Sequence, residues 1–134
     1  MPPDWNAPTF PRTVNALLHT TAGRPAEAIE QAEAVATETG ATYLYNDFAY
    51  VAAAGAYQQL GDSEHAILSS EAAIARAMSV GDVIATALAT SAFQLISGKT
   101  HPAHDQRTPL GEGWTTLLAL LVAAPSAVVV SAGD

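Results

Sequence analysis

The chain has 134 residues, 49% of them hydrophobic, and a formal net charge of −8 from 13 acidic and 5 basic residues. That length suits one domain with one core, and that charge argues against nucleic-acid binding, which needs a basic face, and against docking on anionic lipid. Cysteine is absent, which excludes a disulfide framework and thiolate chemistry.

The first fourteen residues, MPPDWNAPTFPRTV, hold four prolines. Proline fixes its own φ and pushes the residue before it toward extended backbone, so an extended arm is expected, with Trp5 and Phe10 pinning it to the body. The stretch lacks the basic and apolar regions of a signal peptide, and the expected location is cytoplasmic. A first helix is expected from near Arg12 to a stop at Gly23. Pro25 suits the first turn of a second helix, in which Ala28, Ile29, Ala32, Val35 and Ala36 share one face. Glu27, Glu30, Glu33 and Glu38 lie mostly off that face, where solvation or a basic partner would suit them. Gly40 ends the pattern.

A third helix is expected from about Ala41 to Leu60, with two stripes at helical spacing. Leu44, Phe48, Val51 and Gly55 form one; Tyr43, Asp47, Tyr50, Ala54 and Tyr57 form the other. Gly61-Asp62 then stops one helix and starts the next: glycine supplies the turn, Asp62 or Ser63 caps, and Glu64 complements the positive end. Ala66, Ile67, Ala73, Ile74 and Ala77 are core candidates in this fourth helix. Gly81-Asp82 repeats the device before a fifth helix carrying Ile84, Leu88, Ser91 and Leu95 on one stripe. A loop follows over residues 98–111, and an apolar helix and tail over 112–134. Residues 114–132 carry no charge across nearly a bilayer's thickness. Pro125 interrupts them and no Lys or Arg flanks them, which favours a buried terminal helix over a membrane span. No stretch alternates with period two, so the expected class is all-α, a single domain of about five to six helices.

Sliding the chain by 38 positions superposes Gly23 on Gly61, Ala16 on Ala54, Ala28 on Ala66, Ile29 on Ile67, Glu33 on Glu71 and Ala34 on Ala72. Helix pairs recurring at such periods stack because no pair buries its apolar face alone. The stretch AAAGAYQQLGDSEHAILSSEAAIARAMSVGD resembles tetratricopeptide-like repeats, of the variety found in large bacterial transcriptional regulators and their ATPase relatives. The resemblance covers residues 12–97 and places small residues at Ala53, Gly61, Ala66 and Ala73. The period exceeds the usual 34 residues, and most Trp, Leu-Gly and Tyr marks of the first helix are missing. The resemblance implies an antiparallel helix-hairpin array, an α-solenoid, that binds a protein or peptide and takes no cofactor.

In the resembled family the first helix of each pair lines the concave binding surface. Tyr43, Asp47, Tyr50 and Tyr57 are the corresponding candidates, with His19 and Arg12 joining them by repeat position. The same tyrosines would equally pack on a neighbouring helix with their hydroxyls at the rim. A second reading is a small helical enzyme or ligand carrier whose Tyr/His pocket the C-terminal segment closes. The stripe Ile84, Leu88, Ser91 and Leu95 cannot lie open without making a sticky patch. Trp114–Val122 is the expected cover, within one chain or by exchange in a homodimer. His101 and His104, with Asp105 or Glu112, would ligate a metal if presented on a helix, and either histidine would suit a general base, but Pro102 opposes a helix there. No phosphate loop, nucleophile elbow, zincin or dinucleotide motif occurs.

Overall fold

Residues 9–39, 46–105 and 110–123 are described by a computed structural model. Among them lie six α-helices and no strand: α1 (Thr9–Thr21), α2 (Pro25–Thr39), α3 (Asn46–Gln59), α4 (Ser63–Val80), α5 (Val83–Ser97) and α6 (Glu112–Leu118). A π-helical turn, Ala119–Ala123, continues α6. Residues 1–8 of the expected arm, Gly40, Tyr43, Leu44, Pro125 and the AVVV stretch lie outside the described residues, while residues 9–11, expected to be extended, are helical.

Glycine and aspartate draw the boundaries for the reasons read from the sequence. Gly61 and Gly81 take φ of 77° and 71°, a region where a Cβ is penalised. Each lets the chain reverse within two residues. Asp62 then accepts the His65 N–H at 3.1 Å, and Asp82 the Ala85 N–H at 2.9 Å. Both satisfy a helix-start donor that has no carbonyl of its own. Helix α1 begins three residues before the expected Arg12. Pro11 falls in its first turn, where a missing N–H costs nothing.

Each of the first five helices packs on the next, and α1 also touches α3, and α3 touches α5. Positions 38 apart share environments: Ala16 and Ala54, Ala28 and Ala66, Ala32 and Ser70, Val35 and Ala73 are all buried. Alanine at these seams brings the backbones close. Few large side chains then fill the centre, chiefly Ile74, Leu88, Leu121, Val35 and Val51. At the turn end of the α1–α3 seam, buried Thr20 donates through Oγ1 to the carbonyls of Ala16 (2.8 Å) and Ala52 (3.1 Å). Gln59 Nε2 donates back to the Thr20 carbonyl at 2.6 Å.

The C-terminal segment meets the expectation only in part. Its π turn lies over α3 and reaches α1 and α5, while α6 itself packs on α5. Trp114 stacks on Phe48 with centroids 5.8 Å apart, and Leu118, Leu121 and Val122 are buried. The Leu121 carbonyl meets α3 at Gly55, which has no Cβ to obstruct it. Gly55 and the Phe48 ring thus form the seat, on the Phe48/Val51/Gly55 stripe. The α5 stripe is left partly open: Leu88 is buried, but Ile84 is 48% and Leu95 57% exposed. No described helix is long and apolar enough to cross a membrane.

Candidate functional site

Of the residues singled out in the sequence, Arg12 and His19 lie on α1 and Asp47, Tyr50 and Tyr57 on α3. Tyr43 lies outside the described residues. Tyr57, half-buried, donates to Glu33 of α2 at 3.4 Å and stacks on His65 of α4 at 5.2 Å. Its hydroxyl pKa is raised, first by burial and then by the Glu33 charge. Tyr50 packs on the Val51/Ile74 core. His19 accepts from Arg24 Nε at 2.9 Å through Nδ1, near the opposite end of α1 from half-buried Arg12. The tyrosine stripe therefore faces the α2–α4 side, and the C-terminal segment sits on the other stripe of α3.

Asp47 is only 2% exposed. Its Oδ1 accepts the Phe48 N–H at 3.0 Å, while Oδ2 is buried with no hydrogen-bond partner among the described residues. Burial pushes its carboxyl pKa up, the Asp82 charge pushes it further, and backbone hydrogen bonds and Arg76 oppose the rise. A carboxyl that binds its proton more tightly when folded destabilises the fold as pH rises from its ordinary value of 3.8 through its folded value. Asp47→Asn removes that titration and keeps an oxygen for the Phe48 N–H. The variant is expected to be more stable than wild type at pH 7, with the gap closing as pH falls through the folded pKa. Thermal melts of both proteins from pH 3 to pH 8 check this, and a gap independent of pH would refute it.

Along the open side of α5 run two cavities that share Ala87 and Asp105. The smaller, about 220 Å³, sits at the Gly81-Asp82 turn against Val83, Thr86 and Ala103. The larger, about 790 Å³, follows Ser91, Gln94 and Leu95 toward Gly98. Its far wall is His104, Leu110, Thr115 and Leu118. Together they make a groove with an apolar floor and scattered hydroxyl, amide, imidazole and carboxylate groups. Tyr50, Tyr57 and His19 line neither cavity. The α5 stripe was visible in the sequence as apolar surface in need of cover, but the loop that walls the groove carries no periodic signal.

The histidines of the loop are held locally. His101 Nδ1 accepts the Ala103 N–H at 3.0 Å, and the ring meets Phe93 edge-on at 5.1 Å. His65 Nδ1 lies 2.7 Å from Asp62 Oδ2. The Asp62 carboxyl is held below its ordinary pKa, first by the His65 backbone N–H. Among the described residues, no three His, Asp or Glu side chains come together as a metal site. No protein-family model, curated protein or solved structure matches this chain.

Proposed function

We propose that the chain is a non-enzymatic array of helical hairpins, of the tetratricopeptide-like kind, that binds a segment of a partner protein along α5. The shared burial of positions 38 apart, and the matching glycine turns, support the array. In such an array α5 opens a third unit, and its outer side is where the next helix would stack. The observation that carries the reading is that side of α5. It exposes Val83, Ile84 and Leu95 next to a groove of about 790 Å³. A partner helix with apolar anchors at i, i+4 and i+7 fits such a surface, and the net charge of −8 favours a basic one.

The test is selection of helical peptides from a displayed library on the full chain. Enriched peptides are expected to share an apolar stripe with basic flanks. Their affinity is expected to fall about tenfold or more on Leu95→Asp, and to stay unchanged on Leu68→Asp, an equally exposed leucine on α4. Peptides that bind Leu95→Asp as tightly as wild type would place the function elsewhere.

A further inference from the structure

The surface that the C-terminal segment covers has the character of a receptor, and the segment has the character of a ligand. Its anchors follow one helical stripe: Trp114 on the Phe48 ring, Leu118 four residues on, and Leu121 and Val122 buried beyond it. This is the spacing by which an amphipathic helix sits in a groove. The groove has a matching notch at Gly55, where the Leu121 carbonyl would collide with any Cβ.

The segment is also weak as a helix. Its N-cap, Gly111, makes no side-chain capping bond, whereas Asp62 and Asp82 cap α4 and α5. Gly113 falls in its first turn and two threonines follow, all poor helix formers. After seven residues it widens into the π turn. A helix shorter than about 12–15 residues is marginal on its own, so its folded form depends on the seat. Exposed Lys99 and Thr100 lie in the loop that tethers it to α5.

We infer that the groove over α3, flanked by α1 and α5, is a binding site for partner helices of the pattern aromatic-x3-Leu-x2-Leu, and that the chain's own segment 112–123 occupies it as a displaceable competitor. The inference rests on the scaffold reading above; the two surfaces adjoin, since Thr115 and Leu118 of the segment also wall the α5 groove. A tether of this length presents the segment at an effective concentration on the order of 1 mM. A partner helix present at about 1 μM must therefore bind the bare groove about a thousandfold more tightly than the segment does.

The experiment uses a fluorescent peptide with the sequence of residues 111–123, GEGWTTLLALLVA, titrated into the full chain and into the full chain carrying Trp114→Ala and Leu121→Asp. The double variant's own segment cannot seat. The peptide is expected to bind it about tenfold or more tighter than wild type, to lose that binding when Gly55→Ala is added, and to keep it when Val83→Asp is added, on the part of α5 away from the segment. Equal binding to wild type and double variant overturns the inference. So does loss of binding on Val83→Asp, which moves the peptide to the α5 groove and leaves the scaffold reading standing. If the double variant does not fold, a protease site inserted after Thr100 allows the wild-type chain to be nicked with both pieces present. Entry of the labelled peptide in place of the nicked piece supports the inference, and retention of the piece against an excess of peptide overturns it.

Discussion

Replacing Ile74 with alanine is expected to cost about 3–4 kcal/mol, in the upper part of the range for buried Ile-to-Ala changes. The reason lies in the alanine seams. Ile74 is 2% exposed and sits in a cluster with Val51, Leu88 and Leu121, which joins α3, α4, α5 and the C-terminal segment. Several of its buried companions are alanines: Ala73, Ala89 and Ala92. An alanine has no rotamer with which to lean into a vacated space, and helices already in close contact cannot approach further. The cavity therefore stays open, and the cavity cost adds to the lost transfer energy. For a domain of this size the melting temperature should drop by about 10–15 °C. Leu68→Ala, at a leucine 55% exposed on the same helix, should change stability by no more than about 0.5 kcal/mol. Urea titrations of the two variants give the comparison. An Ile74→Ala cost below about 1.5 kcal/mol would mean that the seams are loose enough to collapse.

The helices were legible because their signals are local. Gly61-Asp62 and Gly81-Asp82 act through one residue's backbone and one side-chain hydrogen bond, with no help from distant parts of the chain. The buried face of α2 follows from the spacing of Ala28, Ala32 and Val35, all three of which are buried. The seat of the C-terminal segment was not legible, because it depends on long-range complementarity. Gly55 reads in the sequence as one small residue among many, and its importance appears only when the Leu121 carbonyl is set against it. The same holds for Asp47. Spacing placed it on the tyrosine stripe, but not beneath the surface with Asp82 and Arg76 as its electrostatic neighbours. The α5 groove lies between these cases. Ile84 and Leu95 read as apolar surface needing cover, yet that the Trp114–Val122 segment leaves them exposed and seats its end on α3 depends on a notch and a ring there. Two candidate faces of similar polarity cannot be ranked by hydrophobic pattern alone, because the pattern carries no shape.

Gly55→Ala sets two effects of known sign against each other. Alanine in the middle of a helix is favoured over glycine by about 0.5–1 kcal/mol, and Gly55 is interior to α3. Against this, the new Cβ would collide with the Leu121 carbonyl and lie 3.0 Å from the Thr20 methyl. The carbonyl is backbone and cannot rotate aside as a side chain would. Thr20 is held by its own hydrogen bonds to Ala16 and Ala52. Either α3 and the segment move apart, at an overpacking cost of about 1–3 kcal/mol, or the segment lifts away. Lifting forfeits the burial of Leu118, Leu121 and Val122, worth about 1.5–3 kcal/mol each, offset in part by the regained entropy of the released chain. The cheaper route sets the outcome, and against the helix-propensity gain a net loss of about 1–2 kcal/mol is expected. Trp114 reports which route is taken: release strips it from Phe48 and shifts its emission toward that of a solvated indole, over a background from Trp5. Gly113→Ala supplies the opposite sign on the same segment. A Cβ there meets nothing within 4 Å, so only the propensity gain remains, and α6 should be steadied by about 0.5–1 kcal/mol. A Gly55→Ala protein as stable as wild type, with unchanged Trp114 emission, would show that the Leu121 carbonyl does not rest on α3.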